Sequence, residues 1–430
     1  MSAFTRLLRS NRNYRSLWFG QVVSEVGDHF NNIAVMSLAM QHANPGLVVT
    51  GVFLARAVPM LAAGPIAGVL LDRLDRKRIM IASDLTRGLI AIAFVLCIHQ
   101  RGPVLLYLLS AGLMFASPFF TAGRNAILPG IASSDELHTA NTMTQTTSWA
   151  SLTIGAFLGA MGAQAGFGVA FTFNALSFIV SAACVSRLRR EGGFRPEQSE
   201  RSKRQAGSVQ YREGLAYIRG TPLVFGILLL GVGWASGGGA AQILFSLFGE
   251  KVFNDGPLGI GIIWGFAGIG LLIGGAVAYR LGKVLTFKGY KRTIAIAYLI
   301  HGGAYVLFSQ MPTIALACVF ITLSRAAIAV SSVLNTSQLL HHVEDRFRGR
   351  VFATNESLTW SVMMISMMAT GAATISHSPR TIGAWAGVLS SSTAIFWTWA
   401  NLTGRLPEPA RQVVREHEEE ELPAEPPVAS

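Results

Sequence analysis

The chain has 430 residues, 51% of them hydrophobic and only 13% charged, against about 25% in an average soluble domain, and its mean hydropathy is +0.44. A formal charge of +12 would suggest nucleic acid in a soluble protein, but here the cations sit in short links between apolar runs, so they mark membrane topology and exclude a nucleic-acid partner. Cys97, Cys184 and Cys318 lie inside apolar runs without paired spacing, which excludes a disulfide framework and a zinc site.

A bilayer core about 30 Å thick takes about 20 helical residues, and twelve stretches meet that length within a few residues: 14–40, 47–72, 78–99, 103–125, 137–163, 168–187, 222–249, 257–280, 289–309, 313–340, 347–374 and 380–402. Spans 1, 5 and 11 are the most polar. The basic segment 1–13 leads into span 1 without an A-x-A-like cleavage site, so it is expected to remain as a cytoplasmic N-terminal segment. Spans 1 to 6 are expected to form a six-helix bundle over 14–187, and spans 7 to 12 a second over 222–402. Between them lies a polar, basic cytoplasmic linker, 188–221, containing "FRPEQSERSKRQAGSVQYREG". The acidic, proline-bearing tail 403–430 is expected to be disordered.

Charges within the spans carry the functional signal, because one at the bilayer centre costs roughly 2.5–3.5 kcal/mol. Span 1 holds Glu25, Asp28 and His29, whose spacings of three and four put Glu25 on one face with both others. Span 2 holds Arg56, about ten residues from its outer end and so at the depth of Asp28, which predicts an Asp28–Arg56 pair. Between spans 2 and 3, Asp72 to Arg78 is a run of charges interrupted only by Leu74, and Asp84 and Arg87 follow three apart, spaced to pair within one helix. Gly155, Gly159 and Gly162 on span 5 permit close helix contact. In the second half, His301 on span 9 is expected to be packed, while Arg325 on span 10 and Glu356 in the inner half of span 11 are candidates for substrate or proton handling.

Cations are retained in the cytoplasm. Lys and Arg collect at the N-terminus, in the links around 73–78, 188–221, 280–292 and 341–350, at Arg124 and in the tail; in the opposite links stand Arg101, Lys251 and Arg380. Both termini are therefore expected inside, in a multi-pass protein of the cell (inner) membrane. An internal repeat supports the six-plus-six division: Gly68 precedes Arg73, and Gly275 precedes Arg280, by the same interval at the close of the second span of each half.

With these residues in view, the chain resembles the major facilitator superfamily. Its motif G-x-x-x-D-R-x-G-R-[RK] is matched by "GVLLDRLDRK" at Gly68, Asp72, Arg73, Arg76 and Lys77, with Asp75 in place of the second Gly. "NRNYRSLWFGQVVSEVGD", "LPGIASSDELHTANTM" and "RFRGRVFA" look like the branch that holds bacterial enterobactin exporters and macrolide efflux proteins. The resemblance implies an all-α polytopic fold of twelve transmembrane helices in two six-helix pseudo-repeats. It implies a cavity lined by spans 1, 4, 7 and 10, and a cytoplasmic gate in which Asp72 pairs with its own loop or with Arg346, Arg348 and Arg350. It also implies proton-coupled efflux through Glu25, Asp28, Arg56, Arg325 or Glu356. The drug-antiporter pattern of an Arg in the middle of span 4 and a Gly-Pro motif in span 5 is absent, since "LLYLLSAGLMFASPFF" has no Arg and "GAFLGAMG" no Pro, so direction rests on the branch likeness.

No G-x-x-x-x-G-K-[ST] and no H-E-x-x-H occurs. The expectation is thus a monomeric secondary transporter, not an enzyme, with no cofactor or metal, moving a small amphipathic or siderophore-like molecule against protons. Trp234, Phe245 and Trp360 are candidate apolar contacts. Uptake or lipid movement by the same fold is the alternative, and a membrane sensor a more distant one.

Overall fold

The computed structural model describes residues 3–189, 193–194 and 207–409. The described residues are all-α, without a strand. In chain order the helices are α1 (Ala3–Ser10), α2 (Arg12–Met40), α3 (Pro45–Leu71), α4 (Arg76–Ala93, extended by a 3-10 turn Phe94–Cys97), α5 (Val104–Ile131), α6 (Ser134–Gln164), α7 (Phe167–Ser186) and α8 (Gly207–Gly220). They continue as α9 (Pro222–Leu247, extended by a π turn Phe248–Val252), α10 (Gly256–Gly282), α11 (Phe287–Gln310), α12 (Ile314–His342), α13 (Asp345–Ala373) and α14 (Pro379–Leu402). Twelve of these, all but α1 and α8, are long, and they coincide with the twelve expected spans. The tail beyond 409, most of the basic linker and the side chain of Arg346 lie outside the described residues.

Local chemistry sets the helix starts. Asn11, Asp75, Thr286 and Ser378 each accept a bond from a backbone N–H in the first turn of the following helix. Proline occupies an opening position in α3, α9, α10 and α14, where its missing N–H costs nothing. By composition alone eight long helices suit a bilayer; α2, α6, α13 and α14 do not. The first three are the spans expected to be most polar. The α14 shortfall comes from its Ser, Thr and Trp content, with no charge inside it beyond Arg380.

α5 departs most from expectation. It runs to Ile131 rather than 125, because Pro129 falls in its last turn and does not stop it. Arg124, counted with the cytoplasmic cations at the expected edge of the fourth span, consequently lies well inside that helix.

The apolar core is lopsided. One cluster draws on all twelve long helices, with members such as Met36, Val49, Phe94, Leu106, Ala156, Phe171, Phe245, Ile263, Phe308, Ile321, Met367 and Ile382. Every member lies toward the end of the molecule away from residues 72–78 and 341–350. Toward that basic end the core splits: one cluster belongs to the second six long helices and α8, and two belong to the first six with α1. None of the three bridges the halves.

The inter-half seams agree. α6 packs along α10, where Gly261, Gly265, Gly268 and Gly275 leave room for Ala160, Phe157, Thr153 and Trp149. α3 meets α13 at the far end, where Gly46 lies against Thr374 and Gly371 against Thr50, yet Gly64 and Gly68 have open space where a Cβ would point. The halves are therefore sealed at the far end and apart at the basic end.

Candidate functional site

Three carboxylates and three guanidiniums of the first half gather near mid-span. Arg87, on α4, is buried with 4% of its side chain exposed; it donates to Asp84 one turn earlier and lies 3.9 Å from Asp28 Oδ2 on α2. Phe120 and Phe178 sandwich its guanidinium, with ring centroids at 4.9 and 4.4 Å. Such desolvated cation–π contacts are worth up to about 2 kcal/mol, which helps to hold a charge that two carboxylates share. Asp84 is fully buried, whereas Asp28 keeps 29% of its side chain exposed. Asp28 is thus the more exposed member of a three-residue charge cluster.

The expected Asp28–Arg56 pair is not formed. Arg56 donates instead to Asn32 Oδ1, one turn beyond Asp28 on α2. Position matched, but the shorter reach to an amide on the same face won. The Asp84–Arg87 pair forms as the spacing predicts, although it is joined to Asp28 rather than to the charged loop.

Glu25, one turn nearer the basic end, has its own cradle. Its Oε1 accepts from Gln21 at 2.8 Å and Ser148 at 3.2 Å, and Arg124 lies 3.6 Å away. Ser148, Gln21 and the pairing of Arg124 escaped the sequence reading, which took Arg124 only as a cytoplasmic cation; the signal that could have placed it inside a helix is the helix-compatible run "GRNAIL", which continues past the expected end of span 4. Gly155, Gly159 and Gly162 seat α6 on Val26, His29, Phe30 and Ile33 of α2, so their role in the described structure is close packing.

The charged loop between α3 and α4 is tied within its own half. Asp75, where the resemblance expects Gly, caps α4 by accepting from the Arg78 N–H at 2.9 Å. Arg76 donates to the Ala126 carbonyl near the end of α5, and Lys77 to the Leu188 carbonyl just after α7, both at 2.9 Å. Cations there complement the negative helix ends. Asp72 and Arg73 are exposed and make no ion pair among the described residues, and Gly68 faces open space. The expected Asp72 contact is not made with Arg348 or Arg350 in this arrangement: Arg350 pairs with Glu213 of α8 at 3.0 Å, and Arg348 donates to the Val343 and Leu340 carbonyls, while the side chain of Arg346 lies outside the described residues.

In the second half, Arg325 on α12 is 9% exposed and lies over the face of Phe245, 5.0 Å from its centroid. Among the described residues no carboxylate reaches it. Phe245 is itself fully buried and cannot line an open cavity; Trp234 and Trp360, only partly buried, stand at the margin of the core. His301 is buried and bonded to Ser324, as expected of a packed histidine. Glu356 is exposed on α13, without an ion pair. The mid-span carboxylates and the loop motif are thus separate constellations. Among the described residues no group of His, Cys, Asp and Glu could hold a metal.

Residues 17–366 match the Major Facilitator Superfamily. Bacillus subtilis (strain 168) BacE, named as a bacilysin exporter, is 26% identical over 355 residues, covering 81% of this chain and 85% of that protein. Macrolide efflux protein A of Streptococcus pyogenes is 23% identical over 368 residues, covering 82% and 86%. Among solved structures, a bacterial homologue of the iron transporter ferroportin, in its inward-facing state, superposes with a TM-score of 0.68 at 14% identity, over 90% of this chain and 98% of that one.

Proposed function

Since the chain belongs to the Major Facilitator Superfamily and is a multi-pass membrane transporter, we propose that it is a proton-coupled exporter of small amphipathic compounds, working as a monomer by alternating access. The basic end, with both termini, faces the cytoplasm, in keeping with the retention of cations there. The two six-helix bundles rock about their far-end contact, and the described arrangement is open inward. Outward direction is supported by the exporter and efflux names of the relatives.

The observation that carries the reading is Asp28, a partly exposed mid-span carboxylate sharing Arg87 with fully buried Asp84. When Asp28 takes up a proton from the outside, its attraction to Arg87 is lost and the guanidinium stays with Asp84. When the proton leaves to the cytoplasm, the Asp28–Arg87 attraction returns. A ligand shifts a two-state equilibrium only by binding the states differently, and the proton does so here by removing one contact between α2 and α4. Glu25, with Arg124 and Ser148, is a second carboxylate that cargo or a proton would address.

Proteoliposomes carrying an imposed pH gradient test this. A panel of amphipathic compounds is added, and proton movement is followed with an entrapped pH dye. Cargo-dependent proton flux in the wild type, lost in Asp28→Asn, is the expected result. Flux with wild-type rate and pH dependence in Asp28→Asn would remove Asp28 from coupling, and accumulation driven inward would reverse the direction.

A further inference from the structure

Four side chains from four helices meet in the outer half of the second bundle, and three of them carry a buried polar atom with no hydrogen-bond partner among the described residues. Arg325 of α12 lies on the Phe245 ring; Trp264 of α10 meets the same ring edge-on at 5.0 Å, and Tyr305 of α11 approaches it at 6.5 Å. Arg325 Nε, Trp264 Nε1 and Tyr305 Oη are all buried without a hydrogen bond, and no ion pair reaches Arg325. Arg325 and Tyr305 are 9% and 3% exposed, and Trp264 is partly buried at the edge of the core.

What is unmatched has one sign. Arginine and the indole are donors only, and the phenol can donate. Every mid-span guanidinium of the first half has an acceptor: Arg87 has Asp84, Arg124 has Glu25, and Arg56 has Asn32. Arg325 has the flat face of an aromatic ring and nothing anionic. Buried polar groups are ordinarily satisfied, and an unpaired buried cation is among the most costly arrangements a fold can retain. His301, the neighbouring titratable group on α11, does not relieve it, since its ring is engaged by Ser324. Planarity also narrows the acceptor: guanidinium matches the two oxygens of a carboxylate in a fork, and the aromatic walls suit an apolar body behind it.

We propose that Arg325, Tyr305 and Trp264 form an anion subsite that takes the carboxylate of an otherwise apolar cargo, with Phe245 as the floor that holds the guanidinium flat. This rests on the transport reading for its biological sense but not for its test. In the cycle, the cargo carboxylate supplies the missing acceptor, so that loaded and empty second bundles differ in the pairing of one buried charge.

The full-length protein, purified in neutral detergent, is titrated with sodium phenylacetate and, at matched ionic strength, with uncharged phenylacetamide; thermal unfolding is followed by intrinsic fluorescence. Phenylacetate is expected to raise the unfolding temperature saturably and phenylacetamide not to. Arg325→Gln should weaken phenylacetate about tenfold or more, and Tyr305→Phe or Trp264→Phe by a few-fold each, the range for losing charge-assisted and neutral hydrogen bonds. Arg101→Gln, in a link, serves as the control. Equal stabilisation by the amide, no saturable effect of phenylacetate, or unchanged affinity in Arg325→Gln overturns the subsite. Where Arg325→Gln does not fold, undiminished binding in both Tyr305→Phe and Trp264→Phe overturns it equally. Arg325-dependent binding in a protein that moves no compound in proteoliposomes would remove the transport reading and leave the subsite; transport with Arg325-independent phenylacetate binding would do the reverse.

Discussion

Arg87 is placed so that either of two carboxylates can take it, and their unequal exposure decides what each does. Asp84 is fully buried against Arg87, whereas Asp28 is partly exposed and 3.9 Å from it, so the proposed coupling takes the first contact as fixed structure and the second as the one that breaks. Two substitutions separate these roles. Asp28→Asn should leave the protein folded and cut proton-driven export to about a tenth or less, a barrier change of about 1.4 kcal/mol per tenfold, while exchange of labelled for unlabelled cargo without a gradient continues. Arg87→Gln strands Asp84 in the core and should cost about 3–5 kcal/mol, read as a fall in unfolding temperature. Adding Asp84→Asn to it should restore much of that loss, because no buried charge is then left alone. Stability equal in the single and double variants would show that the pair is not coupled.

Helices were legible where their causes are local. Pro222 and Pro379 open helices, Asn11 and Ser378 cap them, and the apolar run between sets the length, so all twelve spans are found from sequence with small errors at the ends. The α5 end and the partner of Arg124 were not legible for a non-local reason: a cation at the edge of an apolar run looks like the end of a span until Glu25, on another helix, is seen to neutralise it. Asp28 was found by its depth, but its partner was not, because depth alone cannot distinguish Arg56 from Arg87, and only packing shows which helix faces it. The glycines of α10 show the same limit. Their run is visible in sequence, while their division between α6 and α12 is a property of the assembled bundle. A Cβ at Gly261 would collide with Ala160 Cβ and lie 2.6 Å from the Ala156 carbonyl. Gly261→Leu must therefore wedge α6 from α10, at a cost of about 1–3 kcal/mol or more, and lower both unfolding temperature and transport. Gly64→Ala meets no atom and should change neither by a measurable amount.

At the scale of the whole molecule, the two α-helical seams between the halves are unequal. Along α6 and α10 the contact extends to Gly275, which lies under Trp149; along α3 and α13 the repeat-related Gly68 has nothing above it. An alternating-access cycle requires the open seam to close, bringing α13 toward Gly68 and Asp72 toward the basic cluster, while Gly46 and Thr374 part at the far end. Interfaces of this kind switch between discrete arrangements rather than bending continuously. Two cysteine pairs report on the two ends, in a background where buried Cys97, Cys184 and Cys318 are replaced by Ala. Gly46→Cys with Thr374→Cys should crosslink in the resting protein, because the two positions are in direct contact and need part by only about 1 Å to reach the Cβ separation of a disulfide. Asp72→Cys with Arg350→Cys should resist crosslinking at rest and gain it when the outward-open state is populated. Crosslinking both pairs together in one molecule should arrest transport completely, since it forbids both openings. Gly68→Leu adds the converse test: with open space at rest it should fold with an unchanged unfolding temperature, yet slow transport by obstructing closure. Full transport in Gly68→Leu would mean that α13 never approaches this end, and the rocking motion would have to be abandoned.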